Sequence, residues 1–109
     1  MALLGYQQAK IAGTALNYVA ATGDGDTIPP NDRGMLLVRN AGAGSVTVTV
    51  AVPGSTKYGQ ANPDVAVAVA AGADVAVGPF PADLADPASG HVGITYSAVA
   101  SVTVAAAQI

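Results

Sequence analysis

The residues that could do chemistry in this chain are few. His91 is its only histidine, and with the serines and aspartates present it could complete a Ser-His-Asp arrangement. A hydrolase nucleophile of that kind sits on a strained Gly-x-Ser-x-Gly elbow, and the sequence has none. His91 follows Gly90 at the head of an alternating apolar run, the setting of a turn residue. Asp83 and Asp86 could act together as acid and base. However, Asp83-Leu84-Ala85-Asp86-Pro87 has the composition of a short capped turn, in which Asp oxygens accept backbone N–H bonds. Asp24-Gly25-Asp26 opens like a calcium loop, with oxygen ligands at alternate positions. The next acidic residue is Asp32 and the chain has no Glu, so the bidentate ligand is missing and the segment reads as a Gly-Asp turn. Gly42-Ala43-Gly44 lacks the following helix and the lysine of a phosphate cradle. With no cysteine there is no thiolate ligand, no cysteine nucleophile and no disulfide. No catalytic, metal-binding or cofactor-binding residue is expected, and the chain is not expected to be an enzyme.

Charge and aromatic placement narrow the partners. The 109 residues carry a net charge of −3, with seven acidic residues, all Asp, against four basic ones. Lys10, Arg33, Arg39 and Lys57 stand singly, whereas phosphate backbones and anionic membrane surfaces are held by clustered cations. Neither nucleic acid nor a membrane is expected as a partner. Residues 1–13 have no basic stretch and too short an apolar run for a signal peptide. The apolar stretches that begin at Val46 and Val65 are broken well before the ~20 residues that cross a bilayer. Tyr6, Tyr18, Tyr58 and Tyr96 are too dispersed to form a stacking platform. Only Tyr58, in the polar 56–62 loop, is placed at an exposed tip.

The elements that would position these residues are strands. Val46, Val48, Val50 and Val52 alternate with Thr47, Thr49 and Ala51, and Val65, Val67 and Val69 with Ala66, Ala68 and Ala70. Period two is the signature of a strand with one buried face. Val at every second position suits a helix poorly, because it surrounds the helix with stiff apolar groups. Clusters of Gly, Pro, Asn and Asp punctuate these runs. About seven strands are predicted, over 14–21, 35–40, 45–52, 64–70, 74–78, 91–97 and 101–107. Ala71-Gly72-Ala73 reads as a tight hairpin. Pro79-Phe80-Pro81 cannot sit in a central strand, so the chain should leave the sheet there, through a helical turn near 82–85, with Phe80 plugging one end of the core. The composition, 51% hydrophobic and only 10% charged, excludes disorder. The predicted fold is all-β: a single-domain antiparallel β-sandwich or small barrel over 14–109, preceded by an extended N-terminal arm over 1–13.

Two features point to association. Opposite its Val residues the 64–70 run presents Ala66, Ala68 and Ala70, a smooth and weakly apolar face suited to burial between sheets or to a flat partner. The arm carries Leu3, Leu4 and Tyr6, apolar residues that should dock on the domain or on a neighbour. With Tyr58 these are the candidate partner-binding residues.

The blocks Gly23-Asp24-Gly25-Asp26-Thr27-Ile28-Pro29-Pro30-Asn31-Asp32, Leu36-Leu37-Val38-Arg39-Asn40 and Val46-Thr47-Val48-Thr49-Val50, then Val77-Gly78-Pro79-Phe80-Pro81 and Gly93-Ile94-Thr95-Tyr96-Ser97, resemble the small β-rich head decoration, or cement, proteins of tailed phages, especially those of actinobacteria. The resemblance covers roughly 13–109 and rests on turns and strands; the 54–62 loop lies outside it. It implies a non-enzymatic virion protein, made in the host cytoplasm and bound to the outside of an icosahedral head. Its partners would be the major capsid protein and neighbouring copies, with trimers favoured. The alternatives are an adhesion or carbohydrate-binding module, with Tyr58 in the binding loop, and a low-copy head or tail component.

Overall fold

The computed structural model describes residues 2–109 as two β-sheets packed face to face. The strands are β1 (Ala2–Leu3), β2 (Gln7–Gln8), β3 (Val19–Ala20), β4 (Asp26–Ile28), β5 (Gly34–Asn40), β6 (Val46–Val50), β7 (Val65–Val69), β8 (Asp74–Val77), β9 (Val92–Tyr96) and β10 (Val102–Gln108), with one 3₁₀ turn, η1 (Ala82–Leu84), between β8 and β9. One sheet runs β1-β4-β9-β6-β7, the other β2-β10-β5-β8, and β3 also pairs with β10. The pairing is antiparallel except where β1 joins β4 and β2 joins β10, both parallel.

The period-two pattern decides what faces inward. Val46, Val48 and Val50 of β6, Val92 and Ile94 of β9, Leu36 and Val38 of β5, and Val102 and Val104 of β10 are all buried between the sheets. A one-residue slip of any of these strands would turn its valines to solvent, so burial fixes the register. Phe80 is fully buried in this core. Its backbone is bonded in both directions to Asn31, which ties the 79–81 segment to the loop before β5.

The chain crosses between the sheets at almost every connection. Among the described residues only β6 and β7 are consecutive strands that pair with each other. The expected hairpin at Ala71-Gly72-Ala73 is therefore not one: β7 pairs with β6 and β8 with β5, and the segment arches from one sheet to the other. The reason lies at the end of β5, in Asn40. The Gly72 N–H donates to the Asn40 carbonyl at 2.7 Å and the Asn40 N–H to the Ala73 carbonyl at 3.0 Å, which draws the turn across the end of the sandwich.

Asn40 is the clasp of that end. Its side chain is 1% exposed. Nδ2 donates to the carbonyls of Gly44 at 2.8 Å and Val69 at 3.1 Å, while Oδ1 accepts from the Gly42 N–H at 3.0 Å. One amide thus holds both arches, 40–45 and 70–73. A second buried polar residue, Asp26, sits in the β4/β9 sheet, where the hydroxyl of half-buried Tyr96 donates to its Oδ2 at 2.7 Å.

The predicted 14–21 strand is only Val19–Ala20. Residues 14–18 are held by side chains instead: the Thr14 hydroxyl donates to the Gln8 carbonyl, and the Gln7 amide bonds both the N–H and the carbonyl of Asn17. Residues 2–8 add β1 to one sheet and β2 to the other.

Candidate functional site

The two long sides of the sandwich are finished differently. Along the side where β4 and β10 would end their sheets, the N-terminal segment crosses from one sheet to the other. β1 pairs with β4, and the Leu4 N–H continues the ladder to the Thr27 carbonyl at 2.8 Å. Leu4 is buried in the core. The Tyr6 ring lies against Gly34, where a Cβ would overlap it. The Tyr6 hydroxyl donates to the Pro29 carbonyl, and burial pushes its ionisation above the ordinary tyrosine value. β2 then pairs with β10, and the Ala9 N–H reaches the Gln108 carbonyl at 2.8 Å. Of the three arm residues singled out from the sequence, Leu4 and Tyr6 dock on the chain's own domain and Leu3 stays 58% exposed. Val19 and Leu16 add exposed apolar surface on the neighbouring segment.

On the opposite side no strand is added to either sheet among the described residues. There β7 and β8 end their sheets, joined by the 70–73 arch and flanked by the 79–84 segment. Between them runs an apolar groove of about 300 Å³, lined in part by Val65, Val67, Val77, Pro79, Phe80 and Leu84. Val65 is 49% exposed at its rim. Ala66 and Ala68 face solvent on the outside of β7, beside Thr49 and Thr47 of β6, so of the two settings open to an alanine face they take the exposed one. Ala70 lies in the arch, also exposed, and its carbonyl accepts from the Ala73 N–H.

Tyr58 sits apart from both sides. The β6–β7 connection is a hairpin extension, narrowed by the Ser55–Ala61 bridge and turned by bonds between Thr56 and both Gly59 and Gln60. Tyr58 is 83% exposed at its tip, with the Lys57 ammonium 5.8 Å from the ring centre. The structure brings Ala66, Ala68 and Ala70 together on or beside one edge strand, and separates them from the arm residues and from Tyr58.

The residues that might have done chemistry do not converge. His91 donates its backbone N–H to Ser89 Oγ and accepts with its carbonyl from the Asp86 N–H. Asp86 Oδ1 accepts the Ala88 N–H at 2.9 Å, as its turn role predicts. Asp26 is buried against Tyr96, whose ionisation is pushed far above its ordinary range by burial first and by the Asp26 carboxylate second. Among the described residues no three His, Asp or Glu side chains stand close enough to share a metal ion, and no helix is long and apolar enough to cross a membrane. Asn40 and the unclosed β7/β8 side were not singled out from the sequence. The signal for the second was present, because 65–69 is an alternating strand without a charge or a proline. Comparison with known protein families, with curated proteins and with solved structures finds no match to this chain.

Proposed function

We propose that this chain is a non-enzymatic structural protein of a virion, a decoration or cement protein bound to the outside of an icosahedral phage head. It bridges neighbouring subunits of the major capsid protein, with copies of itself grouped as trimers, and opposes the outward pressure of packaged DNA. The observation that carries the reading is the surface of the sandwich: the exposed Ala66/Ala68 face with an open apolar groove beside it, and exposed Leu3 on the far side. Exposed apolar surface marks contact with a partner. The sequence resemblance to phage decoration proteins supplies the kind of partner.

The mechanism is linkage. A protein that binds the assembled shell and not its separated subunits stabilises the shell by mass action. Many copies then multiply a modest free energy per site. No bond is made or broken.

The experiment is co-sedimentation of the purified protein with mature, undecorated shells over a concentration series, with bound copies counted against capsid protein. Saturation at a symmetry-allowed high copy number is expected. Saturation at a few copies per particle would point instead to a low-copy head or tail component, and no binding at high micromolar protein would overturn the reading. The exposure of Tyr58 favours a second reading, an adhesion or carbohydrate-binding module that acts through the 54–62 loop. Under it, Tyr58→Ala abolishes glycan binding and leaves shell binding untouched.

A further inference from the structure

The strand edges of this sandwich are guarded everywhere but one. β1, β2 and β3 are two residues long and offer little to pair with. β8 carries Asp74 at its start, ion-paired to Arg39 at 3.3 Å, and runs into Pro79 just beyond its end. Charge, proline and shortness are the devices by which proteins keep sheet edges from pairing with other chains. β7 has no charge or proline within its span; of the Pro63-Asp64 pair that precedes it, the Asp64 carboxylate is turned back to accept the Val52 N–H at 3.0 Å. The strand is five residues long, Val65-Ala66-Val67-Ala68-Val69, and ends its sheet with no strand on its outer side. An uncharged, proline-free, β-favouring segment on an open edge is a template for another strand.

The sequence of β7 says which strand. It reads the same in both directions about Val67. Two copies laid antiparallel about a twofold axis at Val67 place Val67 opposite Val67, Ala66 opposite Ala68, and Val65 opposite Val69. Every valine meets a valine and every alanine an alanine, and no charge faces a like charge. A twofold contact is self-complementary by construction, and β7 meets that requirement residue by residue. The axis also keeps the two groove-facing sides together, so the exposed Val65 and the grooves beside β7 in the two copies close against each other.

We infer that the free β7 edge is a homotypic interface, at which a second copy of this chain adds antiparallel about Val67 and joins two five-stranded sheets into one. This goes beyond the shell-binding reading and concerns the chain alone in solution. It is therefore tested without shells.

The absence of cysteine makes the register directly readable. Paired residues in antiparallel strands have Cα atoms about 4.5–5.5 Å apart, within the span a disulfide bridges. Val67→Cys protein, oxidised at about 100 µM, a concentration suited to a small interface, should cross-link into dimers. Ala66→Cys and Ala68→Cys should each fail to cross-link alone and should cross-link when mixed. Sedimentation velocity of the parent chain should show a monomer–dimer equilibrium that Val67→Lys shifts to monomer. Far-UV circular dichroism and the melting curve of each variant check that the sandwich is intact. A folded Val67→Cys protein that stays uncross-linked, a parent that is monomeric throughout, cross-linking of Ala66→Cys with itself, or a trimer without the Val67 cross-link would each overturn the inference.

Discussion

Replacing Asn40 by alanine removes one amide and unties two arches at once. Three side-chain bonds are lost, to the Gly44 carbonyl at 2.8 Å, the Val69 carbonyl at 3.1 Å and the Gly42 N–H at 3.0 Å, together with a longer one from Nδ2 to the Ala70 carbonyl at 3.4 Å. At about 1 kcal/mol net per bond, with a small void added at a site that is 1% exposed, the expected cost is about 3–4 kcal/mol. That is a large part of the roughly 5–15 kcal/mol that holds a small domain together. At about 4–8 °C per kcal/mol it lowers Tm by about 12–30 °C. Asn40→Asp sharpens the test, because it keeps the shape and turns the donor into an acceptor aimed at carbonyl oxygens. A carboxyl there is pushed above its ordinary pKa, because burial and the facing carbonyls both disfavour the charged form. A raised folded-state value leaves stability intact below the ordinary carboxyl range and removes it as pH rises through the raised value. The Asp variant is therefore more stable near pH 4 than near pH 7. Urea unfolding followed by far-UV circular dichroism measures both variants. An Ala variant within about 0.5 kcal/mol of the parent, or an Asp variant as stable as the parent at pH 7, would refute the clasp.

Three further outcomes follow from the same geometry. Tyr96→Phe takes the hydroxyl donor from buried Asp26 and should cost about 1–3 kcal/mol at neutral pH. The parent's Tyr96 ionises far above its ordinary value, so its contribution is full below about pH 10 and is lost as pH climbs beyond it; urea midpoints from pH 8 to 11.5 should fall less steeply in the Phe variant. Gly34→Ala places a methyl where the Tyr6 ring lies, and amide hydrogen exchange should show residues 3–8 losing protection before the core does; unchanged protection would mean that Tyr6 does not hold the segment. Gly25 has φ +95° and a Cβ on it would lie 2.5 Å from the Ile94 carbonyl oxygen, so Gly25→Ala should lower Tm measurably although it adds only a methyl group.

What the sequence makes legible is whatever local pattern decides. The strands at Val46–Val50 and Val65–Val69 follow from strict alternation, and the exit at Pro79-Phe80-Pro81 follows from missing donors. β4 is three residues between two turn clusters, too short for a period to show. β1 and β2 exist because a neighbouring strand accepts them; nothing in Gln7-Gln8 announces a strand. The arch at 71–73 looks like a hairpin because its own residues fit one, while the bonds that bend it come from Asn40. Asn40 itself reads as a turn residue, since two of its side-chain partners lie 29 and 30 positions on. For the candidate site, Tyr58 is legible as an exposed tip from its polar surroundings. The outward setting of Ala66 and Ala68 is not, because alanine suits both a solvated and a buried face.

The central claim is that this small sandwich strengthens a shell by binding it, and the most direct measurement is the temperature at which DNA-filled heads release their genome, with and without the saturating protein. The account predicts a higher release temperature that rises with occupancy and levels off when the lattice sites are full. Heads that bind the protein to saturation and release DNA at an unchanged temperature would contradict it.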